Sequence, residues 1–319
     1  MTSVLSSAAM CMAFVVGAAA GAQESGLPTP VHTAVMEVIH GKPYVMVRVN
    51  GKGPFRFIID TGTGGDAIVT TELAMQLDLP VAGEARLNDP TGRGGQAARL
   101  RRIDTLQVAG VDFHGIKAVE HMLPSGDGDC QGMLGFTLFR DFLFTLDYVN
   151  GRLTLAGGEL QPDGERAVLP FRMPDGVPIA RLIIAGRAVD AQIDSGGAGL
   201  SLPQNFAAGL KFADGPTIFA KAQSLSTRFV VKAGKLATDV RLGEFTFAEP
   251  WVEINAAFPL ANFGSCPMQH FIISFDQQNL LMRFEGPHKR ITLGVTPAPL
   301  RLANQPTQKP GELALVPVG

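Results

Sequence analysis

An internal duplication constrains this chain more than any other feature of its sequence. The stretch YVMVRVNGKGPFRFIIDTGTGG has two alternating segments around an Asn-Gly turn and ends in the turn Asp60-Thr61-Gly62. A second stretch, IARLIIAGRAVDAQIDSGG, has the same form and ends in Asp194-Ser195-Gly196. Alternation of apolar and polar residues around a tight turn is typical of a β-hairpin. The sequence therefore predicts two equivalent hairpins, each ending in an aspartate.

The duplication continues downstream of both hairpins. GMLGFTLFRDFLFTLD carries Gly135 and, twelve residues later, Asp147, while GSCPMQHFIISFD carries Gly264 and, again twelve residues later, Asp276. The aspartate of each Asp-x-Gly turn precedes this glycine by 75 residues in the first copy and by 70 in the second. Agreement at this many positions indicates a duplicated β unit. We interpret Asp147 and Asp276 themselves as turn residues, because each comes just before a turn back into a strand.

Composition agrees with an all-β globular protein. Of the 319 residues, 46% are hydrophobic and 18% are charged, which favours a well-buried chain over a disordered one. The 37 glycines and 22 prolines fit many short strands joined by tight turns. A net charge of -2 provides no basic surface for nucleic acid, which is therefore not an expected partner.

The N-terminal segment predicts export. Residues 1–22 contain an apolar stretch followed by the small residues Ala20-Gly21-Ala22, which fit a signal-peptide cleavage site before Gln23. No Lys or Arg precedes the apolar stretch, so the start of this signal is atypical, and a membrane anchor is the alternative interpretation. The stretch is short for a spanning helix, and no other segment is long enough for one, so we expect no stable membrane insertion after removal of the signal. The predicted location is periplasmic or secreted.

The two Asp-x-Gly turns predict a catalytic site. Pseudo-two-fold pairing of the copies would set Asp60 beside Asp194, and two carboxylates in contact cannot both ionise easily, so one keeps its proton. Such a pair supplies a general base and a general acid at one pH, which allows a water molecule to attack an amide. Gly62 and Gly196 permit close approach of the backbone. Hydroxyl groups at Thr61 and Ser195 would lock the two turns.

Residues 31–285 resemble the aspartic proteases. This resemblance rests on the motifs IIDTGTGG and QIDSGGAG and on the elements GMLG and NFG. The resemblance is to the bacterial exported group with a retroviral-protease-like (retropepsin-like) unit, present twice as in the bilobal pepsin-like enzymes. It implies an all-β bilobal fold of two pseudo-two-fold-related lobes, one at 31–158 and one at 166–285, followed by a proline-containing tail at 286–319. It further implies that Asp60 and Asp194 are the catalytic pair of an endopeptidase acting on peptides or proteins.

The resemblance also implies hairpin flaps that close over an extended peptide. Residues 84–108 predict the first such hairpin, with a glycine-rich tip at Gly92, Gly94 and Gly95, and residues 217–242 predict its counterpart. The pepsin-like flap tyrosine is absent, since the two tyrosines of the chain are Tyr44 and Tyr148. This absence and the additional glycines after the two turns, Gly64, Gly65 and Gly197, leave open a second interpretation. The chain could be a catalytically silent peptide-binding protein on the same fold.

The sequence predicts neither a metal nor a cofactor. The histidines show no ligand spacing, and we interpret the acidic stretch SGDGDC at 125–130 as a solvated loop, because a calcium loop would need a glutamate where Leu138 stands. Cys130 and Cys266 are equally compatible with one disulfide and with two buried thiols. A monomer is expected, although each copy could instead pair with a copy from another chain.

Overall fold

A computed structural model describes residues 30–39, 41–89, 91–92, 94–122, 130–223 and 227–294. β-Strands make up most of this part of the chain, and its helices are short. The predicted all-β class is confirmed, and the curled sheets are consistent with a bilobal protease fold. None of the helices in the described ranges has the length and apolar character needed to cross a bilayer. The proposed signal peptide and most of the C-terminal tail lie outside the described residues.

Both predicted hairpins form, and their turns have the same geometry. The central residues have positive φ in each turn, 49° and 75° at Asn50-Gly51 and 50° and 73° at Ala185-Gly186. This is the type I′ turn, whose twist matches that of the flanking strands. The first hairpin carries a register shift between Val47 and Val49. A bulge of this kind adds one residue to a strand. It accounts for the spacing of nine residues from Gly51 to Asp60, against eight from Gly186 to Asp194.

The first sheet contains Asp60. Its eight strands are β2 (Glu37–Ile39), β3 (Lys42–Val49), β4 (Lys52–Asp60), β5 (Ala67–Val69), β6 (Val81–Asn88), β7 (Gly95–Val108), β8 (Val111–Glu120) and β9 (Cys130–Gly135). Their order is β2-β3-β4-β9-β5-β8-β7-β6, and an additional pairing of β3 with β7 curls the sheet back on itself. Strands β6 and β7 form the predicted first flap hairpin.

The second sheet contains Asp194. Its ten strands are β13 (Ile179–Ile184), β14 (Arg187–Asp194), β15 (Leu200–Pro203), β16 (Phe212–Gln223), β17 (Arg228–Leu236), β18 (Val240–Leu242), β19 (Phe245–Phe247), β20 (Trp251–Asn255), β21 (Ala261–Gly264) and β24 (Arg290–Ile291). Their order is β16-β17-β20-β15-β21-β14-β13-β18-β19-β24. Strands β16 and β17 pair as the predicted second hairpin.

A third sheet is built from both copies. Its strands are β1 (His32–Val35), β10 (Leu143–Asp147), β11 (Arg152–Ala156), β12 (Val168–Pro170), β22 (Ile272–Asp276) and β23 (Leu281–Glu285), in the order β1-β11-β10-β22-β23-β12. We call it the shared sheet. The two copies meet at its centre, where β10 and β22 run antiparallel. Short helices complete the described elements: α1 (Thr71–Gln76), α2 (Gln204–Ala207), α3 (Ser265–Met268) and 3₁₀ turns at Phe136–Phe139 and Pro174–Gly176.

Phenylalanines from both copies fill the core beside the shared sheet. Phe136 and Phe144 of the first copy are fully buried, and both pack against Phe275 of the second. Phe171 makes edge contacts with Phe136 and Phe275. Aromatic pairs of this geometry contribute about 0.5–1.5 kcal/mol each beyond the area they bury. Phe136, Phe139 and Phe144 are all buried and therefore belong to the core.

Candidate active site

Each aspartate of the duplicated motif stands at the end of a strand, beside the glycine that follows it by 75 or 70 residues in its own copy. Strand β4 runs parallel to β9, with Asp60 opposite Gly135. Strand β14 runs parallel to β21 in the same way, with Asp194 opposite Gly264. Parallel strands end at the same edge of a sheet, so both aspartates are presented at a sheet edge where the chain turns. The two copies thus position Asp60 and Asp194 by the same topology.

Four hydrogen bonds made by Thr61 and Ser195 join the two turns. The Thr61 hydroxyl donates to the Ile193 carbonyl at 2.6 Å and accepts from the Ser195 backbone N–H at 2.9 Å. The Ser195 hydroxyl does the same in the opposite direction, donating to the Ile59 carbonyl at 2.6 Å and accepting from the Thr61 N–H at 2.9 Å. Both side chains are fully buried. Because every donor and acceptor in this group is paired, the relative position of the two turns is fixed.

The turn glycines bring each carboxylate against the opposite turn. A Cβ atom added to Gly62 would lie 2.4 Å from Oδ1 of Asp194. One added to Gly196 would lie 2.4 Å from Cγ of Asp60 and 2.6 Å from both of its carboxylate oxygens. Any side chain at either position would therefore displace a carboxylate. The absence of a side chain at these two glycines is what allows Asp60 and Asp194 to approach each other.

The carboxylate of Asp60 is held by donors from its own turn. Its Oδ1 accepts from the Gly62 backbone N–H at 2.8 Å, and its Oδ2 accepts from the Thr63 hydroxyl at 2.8 Å. Hydrogen bonds to a carboxylate are charge-assisted and fix its orientation.

The carboxylate of Asp194 is held by a different set. Its Oδ1 accepts from the N–H groups of Gly196 at 2.9 Å and Gly197 at 2.8 Å. Its Oδ2 accepts from the side-chain amide of Asn262 at 2.9 Å, a residue of β21. The amide of Gln192 donates across to the Gly62 carbonyl at 3.0 Å and so ties β14 to the other turn.

Asn262, Gln192 and Thr63 are the site residues that the sequence-based prediction missed. Their signal was present in the duplication itself. The parallel registers place Gln192 beside Asn262 in the second copy, where the first has Ile58 beside Met133. A polar pair in place of an apolar one, next to a proposed catalytic aspartate, indicates a role at the site rather than in the core.

Electrostatics within the pair favour one shared proton. Burial, and then the negative charge of Asp60, raise the pKa of Asp194 to about 7, while the hydrogen bond from Asn262 opposes this shift. Burial also raises the pKa of the Tyr148 phenol, and the charges of Asp194 and Asp60 act in the same direction. Tyr148 therefore remains protonated near the pair. Below about pH 7 the two carboxyl groups can act as one acid and one base.

The two long hairpins contact each other through their tips. In the first, Oδ1 of Asp89 accepts from both the N–H and the hydroxyl of Thr91. The Thr91 hydroxyl lies 3.4 Å from that of Thr227, next to the start of β17 in the second hairpin. The predicted flap glycines Gly92, Gly94 and Gly95 lie in the first tip with φ of 73°, 80° and 144°, values that favour glycine.

The other residues singled out from the sequence make contacts of their own. Asp147 and Asp276 each accept from the backbone N–H three residues on, at Asn150 and Asn279. Cys130 and Cys266 are not joined by a disulfide. In the described ranges, no group of three or more His, Cys, Asp or Glu side chains is arranged to hold a metal ion. Residues 125–129 of the acidic stretch lie outside the described residues.

Part of the chain matches a known protein family. Residues 45–138 match the sequence model of a family described as aspartyl protease. The matched range contains Asp60, its turn and the strand that pairs with it, and it ends before the second copy begins. No curated protein matches the chain. Over this range the first copy is similar to the aspartyl proteases.

Proposed function

We propose that this protein is an exported aspartic endopeptidase of the retropepsin-like and pepsin-like type, in which Asp60 and Asp194 hydrolyse peptide bonds. The observation that supports the proposal most is the reciprocal packing of the two turns. Each carboxylate packs against the glycine of the opposite turn, so the two are close enough to share a proton and to hold one water molecule. The lobes would be residues 31–158 and 166–285.

The hydrolysis would proceed without a covalent intermediate. The ionised carboxylate of Asp60 takes a proton from the water, whose oxygen attacks the carbonyl carbon of the scissile bond, while protonated Asp194 donates its proton to the carbonyl oxygen. The tetrahedral intermediate then collapses. The carbon–nitrogen bond breaks, the leaving nitrogen receives the proton from Asp60, and a proton from the intermediate returns to Asp194. The pair is regenerated with one proton.

The substrate would lie as an extended strand beneath the two hairpins. Strands β6 and β7 on one side, and β16 and β17 on the other, would act as flaps, with Gly92, Gly94 and Gly95 giving the first tip its backbone freedom. A peptide bound in this way gains affinity from main-chain hydrogen bonds and specificity from alternate side chains.

The test is cleavage of a denatured protein or a peptide library between pH 3 and pH 7. Asp60→Asn and Asp194→Asn should each abolish cleavage, because either change removes one of the two carboxyl groups. Asp190→Asn is a matched control, since Asp190 lies in the same strand as Asp194 but pairs with Arg172 at the surface. Full activity in either Asp60→Asn or Asp194→Asn would contradict the mechanism.

The same experiment distinguishes the silent alternative. Peptide binding that persists in Asp60→Asn, with no cleavage by the wild-type protein at any pH, would favour a peptide-binding protein. Export has its own test, which is N-terminal sequencing of the protein recovered outside the cytoplasm. A mature chain beginning at Gln23 is expected, and a chain that retains residues 1–22 in the membrane would support the anchor instead.

A further inference from the structure

Glu253 occupies the wall between the turn of Asp194 and the second hairpin. It is the third residue of β20, and its neighbours across the sheet are Ser201 in β15 and Ala233 in β17. Strand β15 follows directly from the turn that carries Asp194, and β17 is one strand of the hairpin proposed to cover a substrate. The position of Glu253 is therefore intermediate between the proposed catalytic turn and a proposed flap.

The Glu253 carboxylate faces the turn across a glycine. A Cβ atom added to Gly199, five residues after Asp194, would lie 3.5 Å from Oε1 of Glu253. Gly199 and Glu253 are both half-buried rather than enclosed. The missing side chain at Gly199 thus leaves space beside the carboxylate on the side of the turn.

Glu253 has no partner within the described residues, where its carboxylate makes no hydrogen bond or ion pair. Burial alone raises its pKa. Glu120, in the wall of the first copy, provides the contrast. Its carboxylate is bonded to Arg101 at 2.7 Å, and this bond lowers its pKa. A carboxylate that is partly withdrawn from water normally has such a partner, because the cost of an unpaired charge grows with its burial.

The fold does not require an acidic residue at this position. Ser201 pairs with Asn262 and Glu253 as Ile68 pairs with Met133 and Val119, so Glu253 corresponds to Val119 in the duplication. Val119 is half-buried, as Glu253 is. The first copy thus builds the same wall with an apolar side chain, and the carboxylate of the second copy calls for an explanation other than packing.

We propose that Glu253 is a specificity-determining residue, forming a subsite that binds the cationic side chain of a Lys or Arg in the peptide substrate. A bound ammonium or guanidinium group would supply the missing partner through charge-assisted hydrogen bonds. The corresponding position of the first copy, Val119, offers no such partner. The proposed substrate site therefore favours a positively charged side chain at one end of the bound peptide and not at the other. This inference rests on the proposed peptidase function.

A peptide library in which Lys, Arg or Leu is fixed at each position in turn tests the subsite. The wild-type protein should favour Lys or Arg over Leu at one position by about tenfold or more, the effect of one charge-assisted hydrogen bond. Glu253→Gln, which keeps the shape of the side chain, should lose this preference and retain cleavage of the Leu peptides. Glu249→Gln is the matched control, since Glu249 is exposed and pairs with Lys235 at 3.8 Å. It should keep the preference.

Two readouts separate this inference from the proposed function. Cleavage by the wild-type protein with no preference for Lys or Arg, or a preference that survives in Glu253→Gln and in Glu253→Ala, would overturn the subsite alone. If the wild-type protein cleaves no peptide, the library is passed over immobilised Asp60→Asn protein. Retention of Lys and Arg peptides that is lost when Glu253→Gln is added supports the subsite without the catalysis. Retention that does not depend on Glu253 overturns it.

Discussion

The Oδ2 atom of Asp60 is held by the hydroxyl of Thr63, whereas the Oδ2 atom of Asp194 is held by the amide of Asn262. The residue that corresponds to Thr63 in the second turn is Gly197. A Cβ atom added there would lie 2.3 Å from Nδ2 of Asn262. Gly197 and Asn262 are therefore a complementary pair, in which the absence of one side chain makes room for the other. The two copies share the hydrogen bond, and they differ in the residue that makes it.

The difference has a chemical consequence for the two carboxyl groups. A hydroxyl can donate to an ionised carboxylate or accept from a protonated one, whereas the amide nitrogen of Asn262 can only donate. Asn262 therefore favours the ionised form of Asp194 and opposes the effect of burial. Asp60 and Asp194 are therefore equivalent in backbone position, but the hydrogen bond from Asn262 favours the ionised form only at Asp194.

The interlocked hydroxyls are the feature in which the two copies are most alike, and their removal should have the largest effect. Thr61→Val leaves the Ile193 carbonyl and the Ser195 N–H unpaired, and Ser195→Ala leaves the Ile59 carbonyl and the Thr61 N–H unpaired. Each change should lower the free energy of unfolding by about 3 kcal/mol, measured by urea denaturation. Thr61→Ser, which keeps the hydroxyl, is the control. A large loss for one variant and none for the other would contradict the symmetry.

The turn glycines are the next test of the comparison. Gly62→Ala should displace the carboxylate of Asp194, and Gly196→Ala that of Asp60, so kcat/KM should fall by about 10²-fold in each case. Gly294→Ala, at a position with nothing within 4 Å of the added atom, should change nothing. If only one of the two alanines impairs cleavage, the carboxylates do not approach each other in the reciprocal way described.

The dependence of stability on pH should reveal the raised pKa of Asp194. Between about pH 4 and pH 7 the folded protein holds a proton on this group that the unfolded chain has released, so the free energy of unfolding falls as the pH rises. Asp194→Asn cannot ionise, so it should be more stable than the wild type at pH 7.5, with no such gain at pH 4. An equal difference at both pH values would argue against the shift.

The smallest effect should come from the amide that distinguishes the copies. Asn262→Leu removes the donor to Asp194, whose pKa should rise, so the alkaline limb of the pH profile of kcat/KM should move upward by about one unit. Met133→Leu changes the corresponding residue of the first copy and should leave the limb in place. Carbon-13 NMR of the Asp194 carboxyl group follows the same titration without catalysis. An unmoved titration in Asn262→Leu would refute the role of the amide.

The sequence predicts the parts of this molecule that depend on local pattern. The hairpins follow from alternation around the turns at Gly51 and Gly186, and the strand that ends in Asp60 or Asp194 is recognisable from its apolar residues and its glycine. The duplication then places both aspartates at equivalent positions. Each hairpin signal lies within one short stretch of the chain and needs no knowledge of the packing.

The sequence does not predict the parts that depend on distant strands meeting. Asn262 reaches Asp194 because β21 pairs with β14 in parallel, and a strand pairing of this kind leaves no local signal. The shared sheet is another example. Its strands are short segments from the ends of both copies, and nothing in β10 indicates that its neighbour will be β22.

The shared sheet determines how the molecule should respond to dilution. Antiparallel pairing of Leu143–Asp147 with Ile272–Asp276, reinforced by the Thr145 and Ser274 hydroxyls at 2.8 Å, joins the two copies inside one chain. Covalent linkage replaces an association between separate subunits by an intramolecular one, with an effective concentration in the millimolar range. Specific activity should therefore stay constant as the protein is diluted to nanomolar concentration, where an active site formed between two separate chains would be lost.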